Sequence, residues 1–346
     1  MKLLKIVGLV MTALAGLFLV AYLVLEPQAE VPATVADDPT LPRVVLDDLP
    51  FHSEAFGEPT DPVVIVLHGG PGGDYRSLRG LRSLADHGYQ VVFYDQLGSG
   101  LSPRVPAEDL TLQGAIEDLD RFVNHFGKGE PVALIGHSWG GILASYYVAG
   151  HPEKVAGVVL AEPGVLTSEE LSDFMEKMQA TPSASQLLFL GRTLVESLHV
   201  EAPDDQARMD YIFGRMMAAP GDSPLREYWC DGEPPPAVRE TWRFGALAMR
   251  TIMQEGEMPD GTFTMPPLDG IERYRGDILI LASSCNTLIG VERQKAHLAL
   301  FPNARLELVE NSGHMMFSEQ PEVSTQIVLD YLASRGPSDE RPREVP

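Results

Sequence analysis

A serine hydroxyl becomes a useful nucleophile when a base can take its proton and fixed donors await the charge that develops on the attacked carbonyl. Three stretches of this sequence carry those residue types. Gly136-His137-Ser138-Trp139-Gly140-Gly141 follows the apolar run 132–135 and precedes the helical stretch 142–149. A G-x-S-x-G pattern between a strand and a helix turns the chain sharply enough to lift the serine above a sheet, with the amide of the next residue, Trp139, aimed at the oxyanion. His68-Gly69-Gly70-Pro71-Gly72-Gly73 comes directly after the run 63–67, where a second oxyanion amide is needed. We assign that donor to Gly70, with Gly69 as the alternative. Asn311-Ser312-Gly313-His314 follows the run 306–309 and supplies the base, because the order nucleophile, acid, histidine is one that serine hydrolases use. Ser138 is therefore the expected nucleophile and His314 the expected general base.

Other chemistries fit poorly. The glycines after His68 are not followed by Gly-Lys-Ser/Thr, and no G-x-G-x-x-G is present, so a phosphate cradle is not expected. Cys230 and Cys285 have no metal-ligand spacing, and they leave open a single bridge in an oxidising compartment. The expectation is a site with no cofactor and no metal. A formal net charge of −23 lacks the basic footprint that nucleic-acid binding requires.

The elements that must position these residues are legible as alternating patterns. The runs 63–67, 91–94, 132–135, 155–160, 278–281 and 306–309 are rich in β-branched residues and are separated by longer amphipathic stretches. Continuous apolar strands alternating with helices predict a mostly parallel sheet covered on both faces. The rhythm breaks between about Val165 and Gly270, where helical segments, aromatics and Pro234-Pro235-Pro236 predict an inserted helical cap. Nine of the thirteen methionines fall between Met175 and Met265, as the packed interior of the cap or the lining of an adaptable pocket. Glu201, Glu227, Glu233 and Glu240 lie in the same stretch as available carboxylates.

Ahead of this core, Lys2 and Lys5 precede an uncharged run from Ile6 to Leu25, long enough to span a bilayer. It is longer than the apolar part of a cleavable signal and is followed by Glu26-Pro27, which favours an uncleaved anchor over a removed signal. Lysines before the run place the body outside the cytoplasm, periplasmic or extracellular. The expected organisation is an anchor over 1–25, a proline-rich extended linker over 26–42, a catalytic core over 43–164 and 271–335, the cap over 165–270 and a disordered tail over 336–346. The linker is expected to be dispensable as far as about Asp37.

Taken together, the His-Gly-Gly-Pro-Gly-Gly turn, Tyr94-Asp95-Gln96-Leu97-Gly98-Ser99-Gly100, the Gly-His-Ser-Trp-Gly-Gly elbow and Ser-Gly-His resemble the prolyl aminopeptidase (proline iminopeptidase) branch of the α/β-hydrolases over roughly residues 43 to 335. The resemblance implies an α/β-hydrolase fold, with a mostly parallel eight-stranded sheet, helices on both faces and an inserted cap. It implies a serine hydrolase acting on short peptides with a free N-terminus; the same machinery would serve a carboxylesterase or lactonase of small acyl substrates. Asp95 and Gln96 are read as ordering the loop beneath the oxyanion turn.

Two positions depart from that family. Leu97 stands where an arginine is usual, and Ser283-Ser284-Cys285-Asn286 stands where the branch carries its acid after the seventh strand. An asparagine partner favours the wrong histidine tautomer, at a cost of about 10⁴ in turnover in the best-studied triad. A replacement acid is therefore expected, and Glu162, just past the sixth strand and 24 positions beyond Ser138, is the candidate. Some haloalkane dehalogenases resemble this placement of the acid. The alternatives are Asn286 in a weakened triad, or a membrane-anchored binding protein that has lost catalysis. Neither the substrate within these classes nor the oligomeric state is legible.

Overall fold

A computed structural model describes residues 2–334 apart from 28–29, 180, 202–203, 220 and 222; the tail expected over 336–346 lies outside the described residues. Eight strands form one sheet: β1 (Arg43–Leu46), β2 (Leu49–Phe56), β3 (Val63–Leu67), β4 (Gln90–Tyr94), β5 (Val132–His137), β6 (Val155–Ala161), β7 (Ile278–Ser283) and β8 (Ala304–Val309). Their order is β1-β2-β4-β3-β5-β6-β7-β8, antiparallel at β1/β2 and β2/β4 and parallel elsewhere. This is the α/β-hydrolase fold. The β1–β2 hairpin turns through Asp47 and Asp48, both at positive φ (49° and 66°), as a two-residue turn matched to strand twist requires.

The helices are α1 (Lys2–Val24), α2 (Leu112–Gly127), α3 (Trp139–Gly150), α4 (Ser168–Met178), α5 (Ala184–Ser197), α6 (Ala207–Met217), α7 (Pro236–Arg239), α8 (Ala246–Gln254), α9 (Val291–His297), α10 (Met316–Glu319) and α11 (Pro321–Ala333). Period-two alternation divides the core strands between two layers. Val63, Ile65 and Leu67 of β3 pack with Leu119 and Phe122 of α2 and Leu143 and Tyr147 of α3. Val64 and Val66 face the other way, toward Tyr75, Leu78, Val328 and Tyr331. Phe122 is fully buried, its ring stacked on Tyr94 at 3.9 Å, and truncating such a ring costs about 3–5 kcal/mol. Helix α3 is buried almost all round, which explains why its sequence shows no polar face. Between β6 and β7 the chain leaves the sheet and forms α4 to α8.

The segment ahead of β1 differs from the expected extended spacer. Thr34 and Val35 are buried, the Val35 amide donates to Leu101 O at 2.8 Å, and Arg43 Nη1 donates to Val35 O at 2.5 Å. An apolar side chain in reach of the core gains more by packing than by staying in water, and Arg43 satisfies its carbonyl. Helix α1 is long and apolar enough over Lys5–Val24 to cross a membrane, and that stretch is unburied.

Candidate active site

The tip of β5 is built for close approach. Ser138 sits at φ 54°, ψ −118°, between the end of β5 and the first residue of α3. A non-glycine residue in that region is strained, and the strain is held by its surroundings. Its amide donates to Ala161 O at 3.0 Å, and its carbonyl accepts from Gly141 N at 2.9 Å. The elbow glycines have no room for side chains: a Cβ on Gly136 would meet Gly140 O at 2.2 Å, and one on Gly140 would meet Leu67 O at 2.2 Å. Helix α3 can therefore start against β3, with its N-terminal amides beside the serine.

The Gly69-Gly70 turn lies directly against the elbow, since a Cβ on Gly69 would stand 3.0 Å from Ser138 Cβ. Gly70, at φ 130°, occupies backbone space that other residues avoid. His68 fixes this turn from beneath: its Nδ1 donates to Gly69 O at 2.9 Å, and its Nε2 accepts from the Gln96 amide at 3.0 Å. Burial lowers the His68 pKa and keeps the ring neutral, as that pattern of one donor and one acceptor needs. The Gln96 side chain donates to His68 O at 3.1 Å and accepts from Trp139 Nε1 at 2.8 Å, bridging the two stretches that carry the candidate oxyanion amides. Asp95 is fully buried beside it, accepting from His52 Nδ1 at 2.7 Å and Leu101 N at 2.8 Å. Leu97 packs against the core.

His314 is held from three sides. Its amide donates to Tyr228 O at 2.8 Å, its carbonyl accepts from His137 Nε2 at 2.7 Å, and Tyr228 stacks on its ring at 4.4 Å and 13°. Because His137 neighbours Ser138, that bond ties the histidine loop to the elbow. Burial and the adjacent His314 push the His137 pKa down to about 3, so His137 stays neutral.

Nδ1 of His314 donates to Glu162 Oε2 at 2.7 Å, and Glu162 is completely buried. Glu162 starts the loop after β6 at φ 44°. Its Oε1 accepts from the Ser283 amide at 2.7 Å and Ser283 Oγ at 2.5 Å; Oε2 also accepts from Asn286 Nδ2 at 2.7 Å. The buried carboxylate thus accepts four hydrogen bonds, which satisfy both of its oxygens. Asn286 is oriented in turn, its Oδ1 accepting from Leu288 N at 3.0 Å and Ile289 N at 3.1 Å. Asn286 thus touches the carboxylate, and the carboxylate touches the histidine.

Cys230 and Cys285 form a disulfide with Cα atoms 4.7 Å apart. It joins the Tyr228-Trp229 segment to the loop holding Asn286. Ser283, Tyr228 and His137 also belong to this site; His137 falls within the elbow motif, but the roles of all three depend on contacts across 86 to 177 positions. Glu201, Glu227, Glu233 and Glu240 are exposed. The buried acids among these helices are Glu196, held by Arg192 Nε at 2.6 Å and Tyr211 Oη at 2.9 Å, and Asp210, which accepts from the Ala246 amide at 2.9 Å.

A doubly wound sheet with a strained serine elbow and a buried acid-histidine pair at its strand tips defines a hydrolase class. Residues 62–321 match the model of the alpha/beta hydrolase fold family, and the chain belongs to that family of hydrolytic enzymes. Within it, the chain is similar to the proline iminopeptidase of Clostridium botulinum, at 29% identity over 284 residues covering 78% of this chain and 89% of that one. It is likewise similar to the proline iminopeptidase of Arabidopsis thaliana, at 26% identity over 294 residues covering 80% and 74%. The solved structure of VinJ shares the fold with a TM-score of 0.61 at 23% identity, covering 89% of this chain and 99% of that one.

Proposed function

We propose that this protein is a serine hydrolase with a Ser138-His314-Glu162 triad that releases N-terminal residues such as proline from short peptides and amides. The observation that carries the triad is the 2.7 Å contact between the buried Glu162 carboxylate and His314 Nδ1. It fixes the tautomer that leaves His314 Nε2 free to act as a base. His314 takes the Ser138 proton as Oγ bonds to the substrate carbonyl carbon, and the amides of Gly70 and Trp139 receive the oxyanion. Glu162 offsets the imidazolium charge. The intermediate collapses, the C–N bond breaks, and His314 returns the proton to the leaving amine. A water deprotonated by His314 then attacks the acyl-enzyme and frees Ser138. No cofactor enters these steps.

The preference for N-terminal proline rests on similarity to the two proline iminopeptidases. The helices between β6 and β7 serve as the cap over the site. Helix α1 serves as an uncleaved anchor with the catalytic body outside the cytoplasm, and the Cys230–Cys285 bridge suits that oxidising side. Hydrolysis of proline p-nitroanilide, compared with short-chain p-nitrophenyl esters and acyl lactones, tests the substrate. A preference for the proline amide in kcat/KM is expected; ester or lactone turnover without amide turnover would replace the peptidase reading with the esterase one.

A further inference from the structure

Helix α5 is inside out for a helix on a water-soluble body. Its buried residues are polar, with Thr193 and Glu196 at 0% exposure and Ser197 at 4%. Its outward residues are apolar: Leu187 is 55% exposed, Leu188 76%, Leu194 46%, and Leu198, at the C-cap, 40%. Outside α1, these four make up nearly half of the large hydrophobic residues exposed among the described residues. Leu187, Leu194 and Leu198 fall on one helical stripe with Gly191, itself in open space, and Leu188 flanks it. An amphipathic helix in water has the opposite arrangement.

The surroundings identify what covers this stripe. His199, next to the stripe's last leucine, donates from Nε2 to Tyr22 O at 2.7 Å, and its ring lies 4.2 Å from the Tyr22 ring. Tyr22 belongs to the last turn of α1, where a spanning helix leaves the hydrocarbon and where tyrosine favours the interface. The C-terminal end of α5 is thereby pinned to the point at which α1 emerges. From there the stripe runs back about 16 Å to Leu187 at 1.5 Å per residue. Charge agrees with this placement: in a chain of net charge −23, residues 181–195 carry no acid and one arginine, so this face meets no repulsion from anionic headgroups.

We propose that α5 is an interfacial helix whose leucine stripe lies in the outer leaflet of the membrane that α1 crosses, so that the face of the protein formed by α5 rests on the lipid surface. Interfacial helices bury such a face at the boundary between headgroups and acyl chains. This rests on the reading of α1 as an uncleaved anchor.

The test uses the full chain, one copy per phosphatidylcholine nanodisc, so that no second copy can cover the stripe. Both native cysteines are in the disulfide, which leaves an introduced cysteine as the reactive thiol. Nitroxide labels at Leu188→Cys and Leu194→Cys are compared with Leu17→Cys in α1 and with Val323→Cys, 48% exposed on α11. Collision with a water-soluble nickel complex should be several-fold weaker at positions 188 and 194 than at 323, and collision with oxygen several-fold stronger. If position 17 is lipid-buried while 188 and 194 match 323, the interfacial helix is refuted and the anchor stands. If position 17 itself is open to nickel, the anchor reading falls and takes the proposal with it. Circular dichroism and melting on each labelled protein show that all four are folded.

Discussion

Asn286 donates its side-chain amide to the same Glu162 oxygen that His314 uses, each at 2.7 Å. Asn286, at the tip of β7, here steadies the carboxylate supplied by the neighbouring strand β6. Asn286→Asp would set two carboxylates in hydrogen-bond contact without a cation between them, and such pairs raise one another's pKa. The expected result is a lower kcat, with the acidic limb of the pH-rate profile moved upward. Asn286→Ala removes one of four donors to Glu162 and should cost far less. Matching profiles for Asn286→Asp and the parent would contradict the arrangement.

The Cys230–Cys285 bridge ties the Tyr228 segment to the loop that presents Asn286. Replacing both cysteines with serine should lower stability by about 2–4 kcal/mol, as loss of a disulfide usually does. Turnover measured well below the new melting temperature should also fall, because Tyr228 supplies both the stacked ring and the carbonyl that hold His314. Unchanged melting and turnover would show that the cross-link constrains nothing of consequence.

Truncation separates two parts of the N-terminal segment. A chain beginning at Glu30 keeps Val35, whose side chain is fully buried, and should melt like the full-length protein. A chain beginning at Asp37 loses Val35 and its bond to Leu101 and should be destabilised by roughly 1.5–3 kcal/mol, the worth of a buried valine. Chemical denaturation of both chains measures the difference, and equal midpoints would show that Val35 contributes nothing.

Asp118 gives stability a pH dependence. Burial raises its pKa from 3.8 to about 7, partly opposed by Arg121. A carboxyl whose folded pKa exceeds its unfolded one favours folding when protonated, so this contribution is complete below about pH 4 and is lost as pH rises toward 7. Asp118→Asn removes the loss. The melting temperature of the variant minus that of the parent should increase between pH 4 and 8 by on the order of a few degrees. A flat or falling difference would contradict the assignment.

Strands β3 to β7 are legible in the sequence because burial on both faces demands continuous apolar runs such as Val63-Val64-Ile65-Val66-Leu67, while the edge strand β8, partly exposed, shows as the short stretch Leu306-Glu307-Leu308-Val309. Strands β1 and β2 are not, since an edge hairpin exposes part of each strand and residues such as Pro50, His52 and Glu54 hide the pattern. The glycine turns mark Ser138, Gly70 and His314 because steric demand there excludes other residues. The sequence leaves open whether Glu162 or Asn286 meets His314, because both loops end at neighbouring strand tips and only side-chain geometry separates them. The Cys230–Cys285 pairing is hidden for a similar reason: two cysteines 55 positions apart become neighbours only once α4 to α8 have folded back over the sheet.

Steady-state kinetics of Glu162→Gln test the triad most directly, because glutamine preserves shape and removes only the charge and the tautomer preference. With folding confirmed by circular dichroism, kcat should fall by about 10³–10⁴ while KM changes little, as expected when a group acts chiefly in the transition state. Adding Asn286→Asp to that variant should recover part of the loss, by returning a carboxylate to the neighbouring strand tip. Near-parental turnover in Glu162→Gln would contradict the account, because His314 would then need no carboxylate at Glu162.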